Sequence, residues 1–485
     1  MKDKLIEEFE SRLEKEGISR REALKLMGVG SASLLTGSSA YAEDKKPLSK
    51  VNAKILIIGG GLAGISTAAR LANSLDKPNI TVVEPNPKSV SYQPGNTFIG
   101  AGLYTKDDIL YSTKEFIPNG VTLINDKAIE FDPQNNKLKL EKGDILEYDF
   151  LVIAAGLVLD FTKIEGLEEL ESMYTLQDSK KIVDFFKGTS TNTIYNINGA
   201  AQIWDNMQNV INEAKVGKKL KTVFTHPNSA IKCGGAPKKI AYLLNSRLEE
   251  QGKQVRQSVD IDFYAHGAKM FGVEAYEEAI IKQFNERDMN FHLKHNLTKV
   301  DLKNKVATFD KRWEEKGEYD PDLEEYFMET KHENVEVPYD FLHLTPHMKA
   351  PDEIGNSQLG SPKSWVPVHK ETLQHVKYEN VFALGDIAAV PLGKTGGSVR
   401  KQYKVLADNL ISLMEGKEMT KKYDGYTVCP IITDIGKVML AEFDWSMKPT
   451  PSFPLDPTQE RYIWWILKAY ILKPMTQYGM LSGKL

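Results

Sequence analysis

The sequence predicts an α/β fold with a parallel sheet, because three short and mainly apolar segments each lead to a glycine. They are residues 55–58, 148–156 and 380–386, the last with an acidic residue just past its glycine. Unbroken apolar runs of this length are typical of strands that are buried on both faces of a parallel sheet. The three segments therefore predict the core of an α/β domain.

The first segment leads into three glycines in G-x-G-x-x-G spacing, Gly59, Gly61 and Gly64. Gly59 permits a tight turn, Gly61 lets a pyrophosphate approach the backbone, and Gly64 lets helix and strand pack closely. A helix that starts at Leu62 and Ala63 would present free N–H groups to the phosphates. This stretch predicts a dinucleotide site.

The surroundings of the glycines strengthen this prediction. A helix pattern runs from Leu62 to about Leu75, and a second strand, residues 80–83, ends in Glu84. Glu84 lies where an acidic side chain can accept hydrogen bonds from ribose hydroxyls. The glycine motif alone is weak evidence, but strand, helix, strand and terminal acid together favour dinucleotide binding over an ordinary glycine turn.

Length and composition exclude several classes. A chain of 485 residues has room for two or three domains. Its 62 Lys and Arg nearly balance 66 Asp and Glu, and the formal charge of −4 argues against a nucleic-acid partner. The nine histidines do not cluster at ligand spacing, so we expect no metal site. No apolar stretch reaches the length of a membrane-spanning helix.

Residues 1–42 have the features of an export signal in the right order. Residues 19–25 contain an arginine pair and resemble the twin-arginine signal. A mildly apolar segment, residues 26–36, and an A-x-A sequence at residues 40–42 follow. The signal predicts export of a folded protein to the periplasm, and the alternative is an amphipathic N-terminal helix.

The expected second dinucleotide domain lacks a glycine motif. Its first strand, residues 221–226, runs into residues 231–239, where Cys233 stands at the turn. A helix pattern follows over residues 240–250, and Pro237 suits a first helical turn. Because the phosphate cradle for a nicotinamide nucleotide is missing, the sequence predicts that the electrons do not come from NADH.

The chain has two cysteines, Cys233 and Cys429, which can form one pair. Cys233 precedes a helix N-terminus and has Lys232, Lys238 and Lys239 close in sequence. Both a helix dipole and nearby cations lower the pKa of a thiol. These features favour a reactive pair, and the alternative is two unrelated buried cysteines.

Three segments, residues 59–64, 148–156 and 381–386, together resemble the two-dinucleotide-domain flavoproteins of the glutathione-reductase-like superfamily. The resemblance implies two Rossmann-like dinucleotide-binding domains, of which the first holds FAD and is split by the second. The expected boundaries are 51–165 for the first part of the FAD-binding domain, 166–339 for the second Rossmann-like domain, 340–420 for the second part of the FAD-binding domain and 421–485 for a C-terminal region.

The same resemblance implies which residues contact FAD. Asp386 is expected at the ribityl or pyrophosphate portion, and Gly156 near the adenosine half. The expected FAD-binding residues are Gly59, Gly61, Leu62, Ala63, Gly64, Glu84, Gln93, Ala155, Gly156, Gly385, Asp386, Lys394 and Thr395.

The cysteine segments narrow the resemblance to the sulfide:quinone oxidoreductase family. Residues 232–239 and 424–430 resemble the cysteine motifs of that family. Residues 343–352 resemble its T-P-P-M-x-x-P-D segment, with His347 in place of a proline. The likeness extends from residue 53 to about 449, and the presence of only two cysteines resembles the mitochondrial-type branch.

The resemblance implies a route for the electrons. Sulfide attacks a Cys233–Cys429 disulfide and leaves a persulfide on one cysteine, and two electrons pass to FAD and then to a quinone. The persulfide is not assigned to either cysteine. Lys394 is the third expected catalytic residue, since a cation near the pyrimidine edge of the flavin would stabilise its reduced form. The alternative is an exposed loop lysine.

The C-terminal region is expected to lie on a membrane surface, which is where a quinone is found. Two apolar stretches, residues 462–467 and 469–472, are separated by Lys468 and followed by Lys473. The Trp and Tyr content and snorkelling lysines suit an amphipathic interfacial helix. The alternative is a helix packed on the core of the protein or in a dimer interface, so a homo-oligomer stays open.

Residues 311–336 are rich in Glu, Lys and Tyr. We expect a solvated hairpin or insertion without chemistry there.

Three rival functions remain open from sequence alone. A flavocytochrome c flavin subunit would tether FAD through a cysteine in the first domain, but residues 91–94 contain none, so FAD should be bound non-covalently. An NADH:quinone reductase would need the missing second glycine motif. A flavin-binding protein without turnover would not need the cysteine pair.

Overall fold

A computed structural model describes residues 11, 48–92, 94–177, 180–320 and 322–485 of the chain. Gln93 and the expected signal at residues 1–42, except Ser11, lie outside the described residues. The chain forms two units. The first contains the described residues up to 92, residues 107–158 and residues 349–485, and the second contains residues 94–106 and 159–348.

The helices and strands are numbered in chain order. The helices are α1 (Leu62–Ser74), α2 (Gly95–Gly100), α3 (Lys180–Phe186), α4 (Ile197–Lys215), α5 (Ala236–Glu249), α6 (Lys253–Arg256), α7 (Glu274–Glu286), α8 (Asp352–Gly355), α9 (Gly396–Met414), α10 (Tyr462–Ile466) and α11 (Leu472–Pro474). The strands are β1 (Ile55–Ile58), β2 (Ile80–Val83), β3 (Val90–Ser91), β4 (Leu110–Tyr111), β5 (Val121–Ile124), β6 (Ala128–Asp132), β7 (Lys137–Leu140), β8 (Ile145–Glu147), β9 (Phe150–Ile153), β10 (Val158–Asp160), β11 (Ser172–Tyr174), β12 (Thr191–Asn192), β13 (Leu220–His226), β14 (Val259–Ala265), β15 (Met289–His292), β16 (His295–Asp301), β17 (Val306–Asp320), β18 (Glu325–Pro338), β19 (Phe341–His343), β20 (His347–Lys349), β21 (Val366–Pro367), β22 (Val381–Ala383), β23 (Ala388–Ala389), β24 (Thr427–Asp434), β25 (Lys437–Phe443) and β26 (Glu460–Arg461).

The first unit is built on a parallel sheet in the order β22-β9-β1-β2-β5. The central strand β1 is buried at every position because its neighbours and α1 enclose four consecutive apolar residues. The predicted strands at residues 55–58 and 80–83 are confirmed residue for residue, and the predicted helix ends at Ser74. The α/β fold class is thus confirmed.

The first unit also contains smaller antiparallel sheets. Strands β6, β7 and β8 form a meander, and β24, β25 and β26 form a sheet in that order. Strand β24 carries Cys429, and α10 packs on β25. The two long helices α1 and α9 pack on each other, and Arg70 on α1 forms an ion pair with Asp408 on α9 at 3.1 Å.

The second unit has its own parallel sheet in the order β12-β19-β13-β14-β15. Strand β13 begins at Leu220 and ends at His226, close to the predicted residues 221–226. Helix α5 then begins at Ala236, with Pro237 in its first turn as expected. This unit therefore has the strand-turn-helix unit of a dinucleotide domain, with Cys233 in the turn.

The predicted hairpin at residues 311–336 is confirmed and is longer than expected. Strands β17 and β18 pair antiparallel from Val306 and Pro338 out to Asp320 and Glu325.

The C-terminal segment packs on the first unit. Trp464 and Trp465 are buried, and Leu481 joins a cluster with Ile65 of α1 and Val90. Lys468 is 1 % exposed, so the expectation that this lysine snorkels to a membrane is wrong: its Nζ atom donates to the Pro430 carbonyl at 3.0 Å. Among the described residues, no helix is long and apolar enough to cross a membrane.

Candidate active site

The turn between β1 and α1 requires glycine at two of the predicted positions. Gly59 has a φ of +107°, and a Cβ atom there would lie 2.4 Å from the Ala154 carbonyl oxygen. A Cβ atom on Gly64 would lie 1.9 Å from the Gly59 carbonyl oxygen. Both contacts are far below van der Waals distance, so the close packing of turn, helix and strand requires glycine at these positions.

Gly61 differs, because the fold itself does not require a glycine there. Its φ is −80°, which any residue can adopt, and the nearest atom to a Cβ would be the Ser89 carbonyl oxygen at 3.9 Å. A glycine that leaves space at the start of a helix is what a pyrophosphate needs to approach the backbone. No side chain caps α1 at Gly61, so the first backbone N–H groups of Leu62 and Ala63 are at the helix terminus where a phosphate would bind.

Glu84 lies at the end of β2 and supports the glycine turn. Its carboxylate accepts hydrogen bonds from the backbone N–H groups of Gly60 at 2.7 Å and Asn86 at 2.8 Å. Burial raises the pKa of Glu84, and the two N–H donors oppose that shift. The sequence indicated an acid at this position but not that its carboxylate is bonded to the glycine turn itself.

The ends of β9 and β22 bring four more predicted residues to the start of α1. Ala155 and Gly156 follow β9, and Gly156 has a φ of +69° with no atom within 4 Å of a Cβ position. Gly385 and Asp386 follow β22. A Cβ atom on Gly385 would lie 3.1 Å from the Cβ atom of Ala63, so the two segments approach each other closely.

Lys394 and Thr395 precede helix α9. Thr395 caps this helix, since its hydroxyl accepts a hydrogen bond from the Ser398 N–H at 3.2 Å. The Lys394 Nζ atom donates to the Asp386 carbonyl and, at 3.2 Å, to the Ala388 carbonyl. It also lies 3.7 Å from the ring centroid of Trp365. Lys394 is therefore partly buried and fixed, unlike an exposed loop lysine.

Burial is the main cause of the altered pKa of Lys394. It lowers the pKa of Lys394 to about 8, while the Asp386 carboxylate acts in the opposite direction. The ammonium form is still the main form at pH 7.

The first unit fits a dinucleotide cofactor. The predicted residues that it describes converge at the carboxyl ends of adjacent parallel strands, as the contacts Gly59–Ala154 and Gly385–Ala63 show. The open positions at Gly61 and Gly156 leave room for the ligand. Gln93, the remaining predicted residue, lies outside the described part of the chain.

Cys233 occupies a strained turn in the second unit. Its φ is +49°, a left-handed conformation that is uncommon for a residue other than glycine. Its carbonyl accepts the Ala236 N–H at 2.7 Å, which closes the turn directly before α5. Strain of this kind is often retained at functional sites.

Lys239 is the lysine that contacts the Cys233 thiol. Its Nζ atom donates to Cys233 Sγ at 3.2 Å, and the side chain is only 3 % exposed. Lys238 instead lies over the Phe263 ring, 4.7 Å from its centroid. A buried ammonium group beside the sulfur stabilises the thiolate form.

His226, which no sequence motif indicates, lies next to this turn. It ends β13, and its Nε2 atom would be 3.8 Å from a Cβ atom on Gly234. Burial, with a contribution from the Lys238 cation, lowers the pKa of His226 to about 3. The imidazole is therefore neutral at physiological pH, and the lysines supply the positive charge of the turn.

Cys429 lies on β24 opposite Ala441 of β25 and is 4 % exposed. Pro430 follows Cys429, and its carbonyl accepts a hydrogen bond from the Lys468 Nζ atom. The Lys468 carbonyl in turn accepts a hydrogen bond from the Tyr92 hydroxyl at 2.8 Å. The C-terminal segment is therefore attached directly to the cysteine strand. Cys233 and Cys429 are not joined by a disulfide in this structure.

Residues 53–194 match the family model described as pyridine nucleotide-disulphide oxidoreductase. Together with the glycine turn and the two Rossmann-type sheets, this match defines the chain as an oxidoreductase of the flavoprotein class that uses dinucleotide-binding domains.

Full-length relatives identify the family. The chain is 35 % identical over 465 residues to the mitochondrial sulfide:quinone oxidoreductase of Dictyostelium discoideum, covering 94 % of this chain and 91 % of the relative. It is 33 % identical to the mitochondrial sulfide:quinone oxidoreductase of Mus musculus, covering 89 % and 86 %. The chain belongs to the sulfide:quinone oxidoreductase family.

A solved structure supports the fold. The X-ray structure of the sulfide:quinone oxidoreductase from Aquifex aeolicus superposes with a TM-score of 0.70 at 20 % identity, covering 90 % of this chain and 92 % of that one.

Proposed function

We infer that the chain is an FAD-dependent enzyme that oxidises sulfide through Cys233 and Cys429 and reduces a membrane quinone. The observation that carries this function is the hydrogen bond from the buried Lys239 to Cys233, which stands at the turn where a nicotinamide-binding domain would have its glycines. Membership of the sulfide:quinone oxidoreductase family supports sulfide and a quinone as the substrates.

The two cysteines perform the sulfur chemistry. HS⁻ attacks one sulfur of the Cys233–Cys429 disulfide, so that a new S–S bond forms, the disulfide breaks and the other cysteine leaves as a thiolate. A nucleophilic acceptor, or further sulfide, then removes the outer sulfur of the persulfide and leaves two cysteine thiols. Re-forming the disulfide releases two electrons and two protons, which completes the balance.

Bound FAD would supply a two-electron carrier between the cysteine pair and the quinone, with two electrons for each sulfide oxidised. The glycine turn at residues 59–64 would hold its pyrophosphate, and Ala155, Gly156, Gly385, Asp386 and Thr395 would line its path. Glu84 and Gln93 complete the proposed set. Binding is non-covalent in this proposal, because the only cysteines of the sequence are Cys233 and Cys429.

Lys394 is proposed as the cation that stabilises reduced flavin. Its Nζ atom is held by two backbone carbonyls and the Trp365 ring. The cation is therefore already in position before the flavin is reduced. The cation is present at neutral pH because a pKa of about 8 keeps it protonated there.

The location is proposed as the periplasmic face of the cytoplasmic membrane. The twin-arginine-like signal at residues 1–42 supports export. Tyr470 and Tyr478 in the C-terminal region are 65 % and 72 % exposed and suit the lipid headgroup layer, although Trp464 and Trp465 are buried. The two-cysteine, mitochondrial-type-like branch is favoured by the identity to relatives named as mitochondrial.

Steady-state assays of Cys233→Ser and Cys429→Ser test this function. Each variant should keep its flavin absorbance but lose sulfide-dependent reduction of a quinone analogue by about a hundredfold or more. Cys233→Ser and Cys429→Ser variants that both retain wild-type turnover would refute the role of the cysteines. The rival flavocytochrome function would appear as reduction of a haem protein in the absence of quinone.

A further inference from the structure

The β17–β18 hairpin extends beyond its sheet as a two-stranded ribbon. Strand β16 pairs with β17 only as far as Lys311, whereas β17 and β18 stay paired out to Asp320 and Glu325. We call residues 312–333 the arm. Nearly all of its described side chains are exposed to solvent. None of the residues placed in the active site belongs to the arm.

The end of the arm concentrates large apolar side chains that face solvent. Those that are at least 49 % exposed are Tyr319, Leu323, Tyr326, Phe327 and Met328. Tyr319 and Tyr326 are cross-strand partners with ring centroids 5.0 Å apart, and Met328 lies on the same face because it is two residues further along the strand. A contiguous exposed apolar strip is typical of an interaction surface.

The arm also carries a large negative charge. Residues 312–333 contain nine Asp and Glu against three Lys and Arg, whereas the whole chain has a formal charge of only −4. The rest of the chain is therefore slightly basic, and the acidic surplus is concentrated on this ribbon. The apolar strip itself accommodates a cation, because Lys316 Nζ lies 4.7 Å from the ring centroid of Tyr326.

We propose that the arm is a docking surface for a basic partner protein, whose Lys and Arg side chains meet the carboxylates while an apolar patch covers Tyr319, Tyr326 and Met328. Charge complementarity selects this occupant. A second copy of the chain would bring an equally negative arm against the first, and an anionic membrane surface would repel it.

The carboxylates also keep the free strand edges from pairing with other copies. Protecting the strand edges from pairing requires only charged side chains, so it does not account for the apolar strip. A docked partner requires both features, since aromatic side chains supply buried contact area and surrounding charges supply specificity.

Site-specific photocrosslinking in the cells that produce the chain tests the proposal. A p-benzoylphenylalanine probe replaces Met328, which lies on the apolar strip and is 56 % exposed, and the same probe at Val216, which is 84 % exposed and outside the arm, is the matched control. The probe at 328 should capture a basic protein that the probe at 216 does not. The purified partner should then bind the wild-type chain with an affinity that falls as salt rises.

Two variants separate the arm from the fold. In the shortened-arm variant an Asn-Gly turn replaces residues 315–329 between the paired residues Glu314 and Thr330, so the remaining ribbon stays closed. The second variant is Glu324→Gln/Glu325→Gln/Glu329→Gln. Both should bind the partner at least about tenfold more weakly and keep wild-type sulfide-dependent quinone reduction.

Several results would overturn the proposal. They are equal capture at positions 328 and 216, crosslinking only to a second copy of the chain, loss of lipid-vesicle binding in the shortened-arm variant, or unchanged partner affinity in the triple Gln variant. Because these readouts do not depend on sulfide oxidation, a failure here is distinguishable from a failure of the proposed function.

Discussion

Lys239 donates a hydrogen bond to Cys233 Sγ across 3.2 Å, from a position that is almost completely buried. The lysine follows the cysteine by six residues and lies in the first turns of α5, so the strand-turn-helix unit sets this contact. The fold therefore places the Lys239 ammonium group beside the sulfur.

Replacing Lys239 should raise the pH at which the Cys233 thiol reacts. In Lys239→Met, made in a Cys429→Ser background, the midpoint of the pH profile for alkylation should rise by about one unit or more, because the ammonium group no longer stabilises the thiolate. In Lys239→Arg the midpoint should stay close to that of the parent, because the positive charge is kept. Equal midpoints in Lys239→Met and the parent would show that the contact does not affect the thiolate.

Gly61 and Gly64 should respond differently to alanine. Gly64→Ala should destabilise the first unit by about 1–3 kcal/mol, because its Cβ would lie 1.9 Å from the Gly59 carbonyl oxygen. Gly61→Ala should leave the stability of the flavin-free protein unchanged and lower flavin content, because only the ligand needs that space. Thermal unfolding and the ratio of flavin to protein absorbance measure the two effects. If Gly61→Ala retains full flavin content, the pyrophosphate does not bind at Gly61.

Lys394 should make the flavin midpoint potential depend on pH. Its folded pKa of about 8 lies below the ordinary lysine value, so the ammonium charge is present below pH 8 and is lost as the pH rises through 8. At pH 7, Lys394→Met should lower the potential by about 30 mV for each 1.4 kcal/mol of lost stabilisation. Wild type and variant should converge above pH 9, whereas Lys394→Arg should stay high throughout. Potentials that are equal at pH 7 would exclude this role.

The C-terminal segment should have two separable contributions. Leu481→Ala should cost about 2–5 kcal/mol of stability, since Leu481 is buried against Ile65 of α1. Tyr470→Ser/Tyr478→Ser should leave the unfolding temperature unchanged and weaken association with lipid vesicles, because both side chains are exposed. Vesicle binding that is unaffected by the two Tyr changes would remove the support for a membrane-surface role of this segment.

Local sequence patterns were enough to predict the first strand, the glycine turn and the helix that follows it. The run of apolar residues in β1 and the glycine spacing specify the strand, the turn and the start of α1. The role of Glu84 was only half predicted, because hydrogen bonds to Gly60 and Asn86 depend on how the chain returns beside the turn. Sequence spacing predicts where an acid lies but not which donors face it.

Contacts that depend on side-chain direction could not be predicted from spacing alone. Three lysines near Cys233 were equivalent in sequence, but the helical rotation of α5 directs Lys239 to the sulfur and Lys238 to Phe263. The alternation of apolar residues and lysines after residue 462 suggested an exposed amphipathic helix. Long-range packing instead buries Lys468 against Pro430, whose carbonyl accepts a hydrogen bond from the lysine Nζ atom.

The most direct test of the central claim is an anaerobic titration of the flavin absorbance of the wild-type protein. Sulfide should bleach the flavin, a quinone analogue should restore the absorbance, and NADH should have no effect. Cys233→Ser and Cys429→Ser should resist bleaching by sulfide at the same concentration. Rapid bleaching by NADH, or unchanged bleaching by sulfide in both serine variants, would contradict sulfide oxidation through the cysteine pair.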